Sequence, residues 1–104
     1  MKEGIKDDSN KLPLGIVVTK QFPNAIKALA ECSQYGHEKY NLGDNDWLNF
    51  LHLENAEQRL SDAFFRHYFE KNEFDEGSKL LHLKHAVWNL MAELEIQLRK
   101  TNGK

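Results

Sequence analysis

The strongest constraint on how this chain can fold is the helical spacing of apolar residues between positions 78 and 100. Apolar side chains recur there every three or four residues, which places them on one face of an amphipathic helix. This apolar stripe comprises Leu80, Leu83, Val87, Leu90, Met91, Leu94 and Leu98. A second stripe lies nearly opposite and comprises Ser78, His82, His85, Asn89 and Glu93. Two histidines and an amide on one face indicate a site, and a solvated polar face is the alternative.

Two more helices are predicted upstream of this one. Pro23 is well placed at a helix start, and the helical pattern that follows runs over about 23–40. The turn at 41–43 ends it. A further helix begins near residue 54 and continues to Phe69 or Glu70.

The start of the chain and the start of the last helix complete the fold prediction. Residues 14–18 are apolar and β-prone, but no second strand is available to pair with them, so an extended segment is expected. Ser78 is the candidate N-cap of the last helix. The predicted fold is all-α: a small antiparallel bundle of three main helices with a flexible or extended N-terminal arm (1–21) and a helical domain (22–101).

Length, charge and cysteine content narrow the class of protein. The 104 residues suit one domain, and the single Cys32 excludes an intramolecular disulfide. A net charge of −2 without a dense basic cluster argues against duplex nucleic acid as a partner. No apolar run approaches the length of a membrane span, so a cytoplasmic protein without a membrane partner is expected.

Histidines and carboxylates are predicted to gather at one end of the bundle. His67 continues the inward stripe of the middle helix, and a short loop joins that helix to the last one. The residues brought together are His67, Glu70, Glu73, Asp75, Glu76, His82 and His85. Such a cluster would hold a divalent metal, or bind phosphate with protonated imidazole and Arg66, and the spacing does not decide between them.

A second group of candidate residues lies around the turn that follows the first helix. Lys39 and Tyr40 end that helix, and Trp47 follows the turn. A cation beside two aromatic rings would suit the stacking of a nucleotide base, and closure of the core is the alternative role for Trp47.

The order of these motifs resembles the family named for the dATP/dGTP diphosphohydrolase N-terminal domain, whose members are frequent in bacteriophage genomes. The resemblance extends over residues 22–94. It is carried by Tyr35-Gly36-x-x-Lys39-Tyr40, by Asp46-Trp47, by Arg66-His67, and most specifically by Asp75-x-x-Ser78-x-x-x-His82-Leu83-x-His85-Ala86-x-x-Asn89.

That family is similar to the all-α MazG-type nucleoside triphosphate pyrophosphohydrolases, and the resemblance implies hydrolysis to monophosphate and pyrophosphate with Mg²⁺ or Mn²⁺. The catalytic residues it implies are His67, Asp75, His82 and His85. Metal ligands would come from Glu70, Glu73, Asp75, His82 and His85. Contacts to the nucleotide would come from Lys39, Tyr40, Trp47, Arg66 and Asn89.

Two other functions stay open. His82 and His85 stand where a MazG-type enzyme would carry carboxylates, which suits a protein that sequesters a nucleotide, such as a cyclic signalling nucleotide, without hydrolysing it. The other is a helical oligomer without a ligand. A homodimer or larger homo-oligomer is expected in any case, through a weaker apolar patch at Leu81, Trp88 and Ala92 beside the main stripe.

Overall fold

The described part of this computed structural model, residues 10–40 and 46–103, is all-helical apart from one isolated bridge between Phe74 and Leu81. The elements in chain order are α1 (Leu14–Ile16), a π-helix (Val17–Gln21), α2 (Pro23–Tyr40), a 3₁₀ helix (Asp46–His52), α3 (Ala56–Tyr68) and α4 (His82–Thr101). The all-α prediction is therefore confirmed for these residues. None of these helices is both long and apolar enough to cross a membrane.

Helix α2 has the bounds that the sequence predicts. Pro23 occupies its first position, where the missing N–H would have had no partner inside the helix. The carbonyl of Phe22 accepts the N–H of Ile26 at 2.9 Å and so starts the hydrogen-bond ladder. The predicted turn at 41–43 lies outside the described residues.

The expectation of an extended segment at 14–18 is wrong, because this segment is helical. The N–H of Val17 donates to the carbonyl of Pro13 at 3.0 Å, and that of Phe22 donates to the carbonyl of Val17 at 2.9 Å. A helix satisfies its backbone groups internally, whereas a lone strand would leave them unpaired, and this outweighs the β-propensity of the valines. Residues 1–9 of the predicted arm lie outside the described residues.

Helix α3 begins at Ala56, two residues after the predicted start near residue 54. It ends at Tyr68, one residue before the earlier of the two predicted ends, Phe69 and Glu70. Asn55 precedes it in the left-handed region, at φ 55°, and its carbonyl accepts the N–H of Arg59 at 3.0 Å. Asparagine tolerates this conformation better than most residues. The 3₁₀ helix before it was not predicted.

Ser78 does not cap α4, so that prediction is wrong. The helix begins at His82, and Leu81 occupies the N-cap position with an extended ψ of 137° and no capping side chain. The carboxylate of Asp75 accepts both the N–H of Ser78, at 2.8 Å, and its hydroxyl, at 2.9 Å. Ser78 is thereby held in a turn, and Lys79 follows it in the left-handed region at φ 67°.

The two apolar faces of α4 are used differently from the prediction. The weaker patch packs inside the subunit: Ala92 is buried with Leu60 and Ile96, and Trp88 packs against them. The predicted dimer surface at Leu81, Trp88 and Ala92 is therefore wrong. The main stripe is the exposed one, and six of its residues keep 39 to 51% of their surface: Leu83, Val87, Leu90, Met91, Leu94 and Leu98.

Candidate active-site cleft

A cleft of about 840 Å³ lies between α2, the 3₁₀ helix, α3 and α4, and the turn at 75–77 contributes to its wall. A volume of this size is typical of small-molecule sites. The side chains predicted to contact a nucleotide all line it: Lys39, Tyr40, Trp47, Arg66 and Asn89. The placement brings together residues that are up to fifty positions apart in the chain.

His67 and Asp75 line the cleft and form a cluster with His82, called the His/Asp centre below. A potential ligand atom of each lies within 4.8 Å of those of the other two. The two Nδ1 atoms of the histidines are 2.7 Å apart. At this separation one neutral ring donates its N–H to the other, or both lone pairs face a common cation.

Three elements position the His/Asp centre. His67 belongs to the last turn of α3, His82 is the first residue of α4, and Asp75 lies in the loop between them. The N–H of His82 donates to the carbonyl of Glu73 at 2.8 Å, and the N–H of Asp75 donates to that of Leu80 at 2.8 Å. These backbone bonds pair the two arms of the loop and so bring Asp75 back to both helices.

Ser78 links Asp75 to His85. Its hydroxyl donates to Asp75 Oδ2 at 2.9 Å, and its oxygen lies 2.6 Å from Nε2 of His85. Because the single hydroxyl proton is used on Asp75, the oxygen accepts the Nε2–H of His85. Neutral His85 therefore carries its lone pair on Nδ1.

Burial and neighbouring charges adjust the acid–base behaviour of these groups. Burial lowers the pKa of His67 below its usual value, and proximity to His85 and His82 lowers it further. Burial also lowers the pKa of His85, although the charge of Asp75 opposes this. The hydrogen bonds from Ser78 lower the pKa of Asp75. At neutral pH Asp75 is therefore a carboxylate, and His67 and His85 are neutral.

The rings at this end pack closely. The imidazoles of His67 and His85 stack with centroids 4.9 Å apart, and Tyr35 meets His85 edge-on at 5.9 Å. Gly77 lets the loop approach Tyr35, because a Cβ at that position would lie 2.9 Å from the phenol oxygen. A side chain at residue 77 would push Tyr35 away from His85.

The other end of the cleft is built from rings and charges. His37 stacks on Trp47 with centroids 4.3 Å apart and planes 7° from parallel. Nδ1 of His37 lies 2.7 Å from Oδ1 of Asp46, whose side chain is 2% exposed. The ammonium of Lys39 lies between the two parts of the cleft, 5.4 Å from the ring centroid of Tyr40 and 5.8 Å from that of Tyr35, which packs on His85. Trp47 keeps about half of its surface exposed, so a flat ligand has access to it.

The remaining predicted ligands are placed as follows. Glu70 and Glu73 are exposed, and neither belongs to a three-membered cluster among the described residues. His85 lies beside the His/Asp centre and bonds Ser78 through Nε2. The amide of Asn89 donates to the carbonyl of His85 at 2.8 Å.

Sequence reasoning did not single out several residues that line the cleft. Arg59 and Asp62 both line the cleft with Arg66. Their spacing of three and four residues puts them on one helix face with Arg66, and this was the available signal. No local pattern identifies His37, because its partners Asp46 and Trp47 are brought to it only by the fold.

The fold and the cleft define a class of protein: all-helical, with a histidine and carboxylate centre at one end of an open, charged cleft. Within that class, the chain belongs to the family described as dATP/dGTP diphosphohydrolase, N-terminal, whose model matches residues 1–104. The match is wider than the resemblance over 22–94, and the family's name indicates a hydrolase of nucleotides. No curated protein and no solved structure matches the chain.

Proposed function

We propose that this protein is a nucleotide pyrophosphohydrolase that binds a purine deoxynucleoside triphosphate in the cleft. In the proposed reaction, water attacks the α-phosphorus and the bond to the oxygen bridging the α- and β-phosphates breaks, which releases a monophosphate and pyrophosphate. The observation that carries the proposal is the His/Asp centre at one end of a cleft that is lined by cationic side chains. Family membership supports the substrate class.

The donor set of the centre fits a divalent transition-metal ion. His67 and His82, whose Nδ1 atoms lie 2.7 Å apart, would hold such an ion through their ring nitrogens. Asp75 Oδ2 is bonded to Ser78, which leaves Oδ1 as the third donor. Imidazole donors favour Mn²⁺ over Mg²⁺, which prefers oxygen ligands. A bound ion would supply neutralisation of phosphate charge and activation of water.

Cationic side chains lie where a triphosphate would extend from the centre. Arg59 and Arg66 line the wall formed by α3, and Lys39 lines the wall formed by α2. Guanidinium groups bind phosphate oxygens in a bidentate manner, and the ammonium of Lys39 adds a point charge. We expect Arg66 to contact the α-phosphate, since burial lowers the pKa of His67 and the charge of Arg66, acting on that imidazole, lowers it further.

His85 is the proposed general base. The Asp75–Ser78–His85 chain of hydrogen bonds fixes the tautomer and leaves the lone pair of Nδ1 to accept a proton from water. The lowered pKa of His85 keeps that atom unprotonated near neutral pH. Ser78 is then a positioning residue, because its proton is engaged by Asp75.

The base of the nucleotide would lie at the opposite end of the cleft. Trp47 is braced on one face by His37 and offers aromatic surface for stacking. The amide of Asn89 would contact the sugar, because its Nδ2 is held by α4 and its oxygen is available as an acceptor.

The test is to incubate the protein with each ribonucleoside and deoxynucleoside triphosphate in ¹⁸O-labelled water, with Mn²⁺, with Mg²⁺ or with a chelator. We expect dATP or dGTP to be hydrolysed best with Mn²⁺, with ¹⁸O in the monophosphate, because attack occurs at the α-phosphorus. The His82→Ala variant should be inactive, and the His52→Ala variant, in which an exposed histidine of the 3₁₀ helix is changed, should be active. Failure to hydrolyse any nucleotide would refute the proposal, and an intact nucleotide recovered after denaturation would indicate sequestration.

A further inference from the structure

The side chain of Tyr35, in α2, lies against the groups that are proposed to carry out the reaction. It lines the cleft, and its ring meets the imidazole of His85 edge-on, with centroids 5.9 Å apart and planes at 70°. The ammonium of Lys39, one turn further along α2, lies 5.8 Å from the centroid of the same ring. Burial is the main cause of the lowered pKa of His85, and the charge of Lys39 adds to it. Phenol, ammonium and imidazole therefore share one part of the cleft.

The hydroxyl of Tyr35 points from this part of the cleft towards the loop that carries Asp75. A Cβ atom placed on Gly77 would lie 2.9 Å from the phenol oxygen and 3.5 Å from Oδ2 of Asp75. The phenol and the carboxylate thus flank the same glycine. A ligand that binds beside Asp75 therefore lies close to the hydroxyl of Tyr35.

This hydroxyl is available to such a ligand. Among the residues that the structure describes, none forms a hydrogen bond with the phenol oxygen, and no buried side-chain nitrogen or oxygen lacks a partner. The oxygen is therefore open to the cleft rather than sealed inside the protein. A phenol donates one hydrogen bond and also accepts, and a half-buried tyrosine usually uses this group on a partner or ligand.

We propose that Tyr35 is a further catalytic residue, whose hydroxyl donates a hydrogen bond to a non-bridging oxygen of the α-phosphate. This role rests on the proposed reaction. The α-phosphate would lie between the proposed base, His85, and the His/Asp centre, and the phenol faces this space from the wall formed by α2. Fixed donors aimed at the oxygens of a reacting phosphate stabilise its transition state without reorganising. The packing of the ring on His85 fixes this donor.

Gly77 provides the space that the hydroxyl occupies. Its φ lies outside the left-handed region, so alanine is not strained there. An added Cβ would be too close to the phenol oxygen, at 2.9 Å, but would make an ordinary contact with the ring carbon Cζ, at 3.9 Å. Gly77→Ala should therefore displace the hydroxyl of a tyrosine at residue 35 and leave the ring of a phenylalanine in place.

The test is the hydrolysis of dATP and dGTP with Mn²⁺ by Tyr35→Phe, by Gly77→Ala and by the double variant. Tyr35→Phe keeps the ring on His85 but removes the donor, so kcat/KM should fall by about 100-fold. Gly77→Ala should cause a similar loss without changing Tyr35 itself. The double variant should be no less active than either single variant, because both changes remove the same hydrogen bond.

Two matched variants serve as controls, and both should be as active as the parent. Tyr68→Phe removes a phenol that accepts a hydrogen bond from Lys71 at 3.3 Å, outside the cleft. Gly15→Ala adds a Cβ where nothing lies within 4 Å. Circular dichroism should show that all variants keep their helices.

The possible results separate the role of Tyr35 from the reaction itself. An active parent with an equally active Tyr35→Phe variant would overturn the role and leave the reaction in place. Losses that multiply in the double variant would overturn the placement of the hydroxyl beside Gly77, on which the role depends. A parent that hydrolyses no nucleotide would refute the reaction and this role with it.

Discussion

The two ends of the cleft are held in place by different kinds of interaction. At the His/Asp end, short hydrogen bonds connect Asp75, Ser78 and His85, and His67 contacts His82 through ring nitrogens. At the other end, a single polar contact, between His37 Nδ1 and Asp46 Oδ1, holds the ring that stacks on Trp47. Hydrogen bonds are directional and fix atoms closely, whereas stacked rings tolerate sliding. In the proposed reaction, the first end would hold the reacting groups and the second would hold the flat base.

Asp75→Asn, a change at the His/Asp end, should have the largest effect on activity. This change removes the anionic donor of the His/Asp centre while an amide oxygen can still accept a hydrogen bond from Ser78. We expect Mn²⁺ binding to be lost and kcat to fall by about 100-fold or more. Calorimetric titration with Mn²⁺ and steady-state kinetics measure both effects. Glu76→Gln, which neutralises an exposed acid of the same loop, should change neither.

Ser78→Ala should have the next largest effect. It removes the acceptor of the Nε2–H of His85 and one donor to Asp75, so both residues lose a positioning partner. A fall in kcat of about 10 to 100-fold is expected, with KM nearly unchanged. Thr101→Ala serves as the comparison, because that hydroxyl bonds only the carbonyl of Gln97 in its own helix. An unchanged kcat in Ser78→Ala would show that the hydrogen-bond chain does not position the base.

A change of pH should affect the His/Asp end of the cleft. The pKa values of His67 and His85 are lowered on folding, so the folded state binds fewer protons than the unfolded chain just below the usual pKa near 6.5. Stability and activity are therefore fully present above that value, and both are lost as pH falls through the lowered pKa values. Profiles of kcat/KM and of chemical unfolding between pH 4.5 and pH 8 check this. An activity that rises on acidification would contradict the neutral-histidine mechanism.

The smallest effect is expected at the stacking end. Trp47→Ala removes the platform for the base and should raise KM by about tenfold, since stacking on an aromatic ring contributes about 1–3 kcal/mol per base. Because Trp47 belongs neither to the His/Asp centre nor to the Asp75–Ser78–His85 chain, kcat should change little. Phe69→Ala provides a matched loss of an exposed aromatic ring outside the cleft. A large fall in kcat with constant KM would mean that the two ends are not separate in function.

Local signals in the sequence were sufficient to predict the positions of the three long helices. Pro23 marked the start of α2, and apolar spacing located α3 and α4 to within a few residues. The segment 14–18 was misjudged because its β-prone valines suggested extension, while the choice depended on whether a neighbouring strand exists. Ser78 was misjudged because Asp75, three residues before it, competes for its hydroxyl.

The use of the two faces of α4 could not be predicted from periodicity. A helical pattern shows that one face differs from another, but not which of them meets the rest of the subunit. In this chain the small residues Ala86 and Ala92 are buried, and the larger leucines opposite them remain exposed. Small side chains permit close helix approach, so packing follows shape as well as apolar character. The clustering of His67, Asp75 and His82 was predictable, because consecutive helices in a bundle run antiparallel and the end of α3 therefore lies beside the start of α4.

Asp75 couples the conformation of the loop before α4 to the assembly of the His/Asp centre. One carboxylate oxygen holds the turn at Ser78, and the same side chain contributes to the His/Asp centre. The centre therefore cannot assemble while this turn is open, and an ion or phosphate that binds there favours the closed turn by mass action. The rate of hydrogen exchange at the amide of Ser78 should then fall as the site fills. This rate would report the occupancy of the site without any signal from the ligand itself.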